Sequence, residues 1–137
     1  MKEPSEKRKR TLELHERVIR FSTNVNACCP DTHTTLPSSR VWAQLVRSAD
    51  STSNNLIEAD AASSDADFLN KMSIALREAK ESRVGLLKIR VGNLDGCREI
   101  AELRLESEAS QLSAIFATII LNMRSRLAED PTRRRKR

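Results

Sequence analysis

Gln44-Leu45-Val46-Arg47-Ser48-Ala49, then Ser51-Thr52-Ser53-Asn54-Asn55-Leu56-Ile57-Glu58-Ala59, is the stretch that decides how this chain folds. Leu45, Ala49, Leu56 and Ile57 recur at helical spacing, but Ser48, Ser51, Asn55 and Glu58 interrupt them. Residues three and four apart share one side of a helix. Polar groups on a buried side need partners, since an unpaired one costs about 1–3 kcal/mol. A specific packing arrangement is therefore expected. Arg47, Ser51, Asn55 and Glu58 are read as a structural polar network that sets helix register or a subunit contact. The competing reading of Asn55 and Glu58 is a ligand pocket.

The same periodicity extends in both directions. Leu14, Val18, Phe21 and Val25 mark a first helix over about 11–27, which Cys28-Cys29-Pro30-Asp31 ends. A Thr- and Pro-rich loop leads to the second helix, about 39–62, with Ser38 or Ser39 as its cap. Its buried face should use Trp42, Leu45, Val46, Ala49, Leu56 and Ile57. Ser64-Asp65-Ala66-Asp67 has capping-box form and opens a third helix, about 65–91. Gly85 inside that helix suggests a close helix contact. Gly92-Asn93-Leu94-Asp95-Gly96 is the clearest turn, with Gly92 suited to the left-handed end position. A fourth helix is expected over about 97–128, carrying Ile100, Leu103, Leu112, Ile115, Phe116, Ile119, Ile120, Met123 and Leu127. Asp130-Pro131 stops it.

Short turns between helices give antiparallel neighbours. The fold class is all-α: an antiparallel up-down four-helix bundle over 11–128, between a basic N-terminal arm (1–10) and a basic C-terminal tail (129–137), both expected to be disordered. With 137 residues, three glycines, four prolines and no tyrosine, the chain has little of what sheets and their turns require.

The net charge of +5 is unevenly placed. Arg133, Arg134, Arg135, Lys136 and Arg137 hold +5, residues 2–10 hold +3, and the remainder holds −3. An acidic body with basic ends points to an anionic partner. Lys7, Arg8, Lys9, Arg10 and the five tail cations are the candidate nucleic-acid-binding residues; the alternative is that the tail is only a solvated end. Few aromatics are free for base stacking, so backbone and shape recognition is expected.

No catalytic residue is assigned. His15 and His33 are the only histidines, neither follows a Glu by three, and no Gly-rich phosphate loop exists. Cys28, Cys29 and His33 make an awkward zinc set, because adjacent cysteines chelate poorly. No metal and no cofactor are expected. Three cysteines, two of them adjacent, make a poor disulfide framework and suit a reducing cytoplasm. No apolar run approaches the length of a bilayer span. Trp42 is the residue whose ring would report assembly if it lay between subunits.

The quoted stretch resembles the small bacterial four-helix-bundle family. That family includes proteins encoded in intervening sequences of 23S ribosomal RNA genes and the accessory variability determinants of diversity-generating retroelements. Its pattern is roughly Q-L-x-R-A-x-x-S-x-x-x-N-I-A-E-G, a polar turn, then D/E-F-L-x-x-L-x-I-A-x-G-S-A-x-E-L. Gln44, Leu45, Arg47, Ser51, Asn55 and Glu58 fall on the first half. Phe68, Leu69, Ile74, Ala75, Ala79 and Glu81 fall on the second. Ala59 stands where the family has Gly, the usually basic turn is acidic, and Arg77-Glu78 replaces the Gly-Ser pair. The resemblance implies a homopentameric barrel, no catalytic activity, and association with RNA and, in the retroelement branch, with a reverse transcriptase. A non-catalytic RNA-binding scaffold is thus expected. The rival is a protein–protein adaptor, or a ribosomal intervening-sequence protein, with no direct RNA contact; as an adaptor it would dock a basic partner on Glu99, Glu102, Glu106 and Glu108.

Overall fold

The computed structural model describes residues 2–130. Among them it is all-helical: α1 (Glu6–Cys28), α2 (Leu36–Asp60), α3 (Asp65–Gly92), α4 (Cys97–Glu102) and α5 (Leu105–Glu129). The long helices α1, α2, α3 and α5 form the expected antiparallel bundle around Phe21, Trp42, Leu45, Met72, Leu86 and Phe116, each almost wholly buried. Contacts between α2 and α3 are the most extensive, and those between α1 and α5 are sparse.

Helix α2 starts at Leu36 rather than near 39, because the Thr35 hydroxyl, not Ser38 or Ser39, caps it by accepting the Ser38 N–H at 3.2 Å. Three further expectations about helix bounds are corrected. Helix α1 begins at Glu6 rather than near residue 11, so residues 6–10 are not an arm. Ser5 is the reason: its hydroxyl accepts the Arg8 backbone N–H at 3.1 Å, and capping of this kind starts a helix. The second correction is a break in the last helix. Arg104 adopts φ 51°, a left-handed conformation, and separates α4 from α5. The break lets Ile100 and Leu105 both enter the core. In one continuous helix, residues five apart point in widely different directions. Leu103, expected inside, is about half exposed as a result. The third correction concerns the α3 terminus, where Asn93 rather than Gly92 is left-handed, at φ 50°. Leu94 N–H bonds Ile89 O at 2.9 Å and Asn93 N–H bonds Arg90 O at 3.2 Å, which closes a Schellman end.

Val46 and Ile57 are only half-buried, and Ser48, Thr52 and Ser53 occupy the buried face of α2 with Trp42, Leu45, Ala49 and Leu56. Trp42 is wholly buried within the chain itself. Its indole N–H donates to the Asp95 carbonyl at 2.6 Å, so its ring does not report assembly.

That bond belongs to a clasp between the α1–α2 loop and the α3–α4 turn. The Asp95 carboxylate accepts Thr34 N–H at 2.7 Å and the Ser38 hydroxyl at 3.0 Å. His33 Nδ1 lies 3.1 Å from the same hydroxyl. With the Ser38 proton given to Asp95, the ring nitrogen donates, and the serine is a bridge between His33 and Asp95 rather than a nucleophile beside a base. Gly96, at φ 82°, closes the clasp over Trp42. A Cβ there would sit 2.5 Å from Trp42 Cζ2.

Gly96→Ala combines left-handed strain with overpacking and should cost roughly 2–5 kcal/mol in urea denaturation. The Thr34 backbone N–H, followed by the Ser38 and Thr34 hydroxyls, holds Asp95 below the ordinary aspartate value of 3.8. A lowered folded pKa contributes stability that is present at neutral pH and lost as the carboxylate protonates. Wild-type stability should therefore fall below about pH 4, and Asp95→Asn should be less stable at neutral pH with a shallower acid limb. Denaturation midpoints measured from about pH 7 down to about pH 2.5 check this.

Candidate nucleic-acid interface

Helices α2 and α3 approach closely because small residues line their seam. Ala49, Thr52, Ala75, Ala79 and Ser82 are all buried. A Cβ on Gly85 would lie 3.3 Å from the Leu45 Cβ, which makes this the close contact the glycine suggested. The Ser48 and Ser82 hydroxyls meet at 2.9 Å across the seam. Ser48 also reaches Leu45 O, and Ser82 reaches Glu78 O. Each hydroxyl has one proton, so one donates across while the other bonds its own helix.

The network expected from Arg47, Ser51, Asn55 and Glu58 is therefore not one network. Asn55 donates only within α2, to Ser51 O at 2.8 Å and Ser51 Oγ at 3.0 Å. Glu58 pairs with Lys71 at 3.1 Å near the α2–α3 turn. Arg47 does cross the seam, to Glu78 at 3.3 Å and Glu81 at 2.8 Å. Glu78 and Ser82 are the members that sequence reading missed, and Ser48, noted there as a polar interruption, was left out of the network. Their i, i+4 spacing on α3 (Glu78, Ser82) and the position of Ser48 beside Ala49 were the available signals.

Where two helices touch through small residues, their longer side chains stand at the flanks. Here they border an open groove of about 750 Å³. Val41, Leu45, Val84 and Gly85 contribute its apolar floor. Arg40 and Arg47 rise from α2; Arg77, Lys80 and Lys88 rise from α3. Glu81 is the single carboxylate among the lining residues. Hydrogen bonding and charge from Glu78, then Glu81, raise the Arg47 pKa, so this guanidinium is firmly cationic and tied to the protein. Arg40, Lys80 and Lys88 make no ion pair among the described residues.

The cations expected at the N-terminus are placed differently. Arg8 binds Asp60 at 2.6 Å and Lys9 lies near Glu3 and Glu6. Lys7 and Arg10 form no ion pair among the described residues. Arg10 borders a separate cleft with Glu13, Leu14, Arg17 and Ile115. The Arg8–Asp60 pair puts this cluster at the C-terminal end of α2, roughly 30 Å along the helix from Arg40 at about 1.5 Å per residue. Arg133, Arg134, Arg135, Lys136 and Arg137 lie outside the described residues.

The cysteines of the α1 end and His33 sit in local contacts. Burial raises the Cys28 thiol, helped by Glu99 and Glu102, and burial also raises Cys29. Raised thiols are poor nucleophiles at neutral pH. His33 contacts Ser38 and Cys29 contacts Pro30 O. Among the described residues, no three His, Cys, Asp or Glu side chains are grouped as a metal site requires. No described helix is long and apolar enough to cross a membrane.

Fold and groove together define a small all-helical bundle with a cationic channel on its α2–α3 face. No protein-family model matches the sequence, and no curated protein matches it. The chain is similar to the crystal structure of a protein of unknown function from the S23 ribosomal protein family of Bacteroides thetaiotaomicron. Identity is 27% and the TM-score 0.53, over 82% of this chain and 95% of that one. This likeness is consistent with the ribosomal intervening-sequence branch of the family resemblance. The retroelement branch rests on the sequence motif alone.

Proposed function

We propose that this protein is a non-catalytic, self-associating scaffold that binds RNA through its phosphates. The α2–α3 groove is the main surface, and the basic ends are auxiliary contacts. The observation that carries this reading is the set of five cations against one carboxylate along one groove, three of those cations without an ion pair among the described residues. Arginine forks match phosphate oxygens in pairs, and lysines add point charge. Self-association comes from the family resemblance, which implies a homopentamer. Several grooves on one particle would raise affinity by multivalency. Within a retroelement, such a scaffold would serve a reverse transcriptase as an accessory factor.

The rival adaptor reading relies on the acidic residues of α4 and α5. Three of the four are already neutralised: Glu102 by Arg98, Glu106 by Arg90 and Glu108 by Arg17. Arg90 holds Glu106 below the usual glutamate range. A basic partner would have to displace these pairs, and that weighs against docking there.

Replacing Arg40, Lys80 and Lys88 together by alanine should weaken RNA binding. It should also flatten the slope of log affinity on log salt by about 2–3, at roughly 0.7–0.9 for each phosphate no longer neutralised. Deleting residues 133–137 should weaken binding further. Fluorescence anisotropy at several salt concentrations measures both effects; an unchanged slope in the triple variant removes the groove from the interface. Native mass spectrometry of the intact chain should give a closed oligomer, five copies on the resemblance, and a monomer at every concentration would remove the scaffold.

A further inference from the structure

The groove has two charged walls, and no ring side chain lies among the residues that line it. We infer that it takes a double-helical polynucleotide in preference to a single strand. This inference rests on the proposed reading of the groove as the RNA surface and adds the class of nucleic acid.

Unpaired bases are captured by stacking on exposed rings, and each stacked base contributes about 1–3 kcal/mol by alanine substitution. Phe21, Trp42 and Phe116 are at most 1% exposed, and Trp42 is tied to Asp95 by its N–H. Phe68 is half-buried in the first turn of α3, nine residues before Arg77, or about 13 Å along the axis. No tyrosine exists. The floor of Val41, Leu45, Val84 and Gly85 brings no side-chain donor or acceptor for base edges. Of the two neutral polar side chains in the lining, Ser48 is buried against Ser82, while Gln44 accepts from Arg47 through Oε1 and keeps its amide N–H donors. No aromatic ring along the groove offers a base a stacking platform, and among its neutral side chains Gln44 alone keeps unpaired donors.

The cations instead form two rows on two rods. Arg40 and Arg47 are seven residues apart, about 10 Å along α2, and Arg77, Lys80 and Lys88 span about 16 Å of α3. A single strand follows one row. Two phosphate strands bordering a groove of a duplex can engage both rows at once. The seam beneath cannot adjust to a narrower ligand, because Ser48–Ser82 and Leu45–Gly85 already bring the helices into contact. Backbone recognition of this kind reads helix shape rather than sequence.

The test uses the full-length protein with an RNA duplex of about 20 base pairs, enough to span the two minor grooves a shape reader contacts. It adds each unpaired strand alone (chosen without self-structure) and a DNA duplex of the same length. Anisotropy at matched salt should show the RNA duplex bound about tenfold or more tighter than either strand, since a strand loses one row of phosphate contacts and finds no aromatic ring to stack on. Arg40→Ala/Lys80→Ala/Lys88→Ala should reduce duplex binding and bring it close to that of the strands, while circular dichroism melting shows the bundle intact. Single strands bound as tightly as the duplex would overturn the inference and leave the RNA reading standing. Absence of binding to every nucleic acid would overturn the RNA reading itself. A DNA duplex bound equally well supports the two-walled recognition and removes its restriction to RNA. An acidic amphipathic peptide that displaces the duplex and binds more tightly would reassign the groove to a protein partner and overturn the inference.

Discussion

The closeness of α2 to α3 is the constraint on which the rest depends. Ala49, Ala75, Ala79, Ser82 and Gly85 remove bulk from the interface, and Ser48–Ser82 satisfies its buried hydroxyls. A hydroxyl left unpaired in that seam would cost about 1–3 kcal/mol, and the carbonyls of Leu45 and Glu78 together with the serine–serine contact keep both paired. The same closeness forces the long side chains of both helices outward. A cationic groove is therefore a consequence of small-residue packing combined with where the arginines and lysines fall.

Five cations cluster along this groove against one lining carboxylate. Elsewhere cations are matched in part: Arg8 with Asp60, Arg17 with Glu108, Arg90 with Glu106 and Lys71 with Glu58, while Lys7 and Arg10 form no ion pair among the described residues. Exposed pairs of this kind add little stability each, but they cancel local field. Arg40, Lys80 and Lys88 are not cancelled. A region whose summed charge is slightly negative therefore still presents one strongly positive channel. Net charge averages over a surface, and an anionic ligand responds to the local field.

The helices and most of their buried faces were legible in the sequence, because apolar spacing at three and four residues reports one side of a helix directly. Gly85 signals a close contact for the same local reason. The break at Arg104 was not legible: an arginine is no left-handed signal, and only the competing demands of Ile100 and Leu105 for one core explain it. The extension of α1 to Glu6 had a signal in Ser5, outweighed by the density of charge around it. The candidate site was hardly legible at all. Arg47 stands out only as a polar interruption and Arg77 only as a departure from a motif, and nothing local marks Arg40, Lys80 or Lys88. The ends stand out instead because their cations are contiguous in the chain.

By itself the sequence determined an all-α chain of long amphipathic helices with charge concentrated at its ends, since helix period and local composition are properties of neighbours along the chain. Only the tertiary structure decided which cations act together. Arg40 and Lys88 are 48 residues apart in the chain yet border one groove. The antiparallel register of α2 on α3, set by Ser48 against Ser82 and Leu45 against Gly85, brings them there. No window along the sequence contains that pairing, because register is fixed by contact between helices.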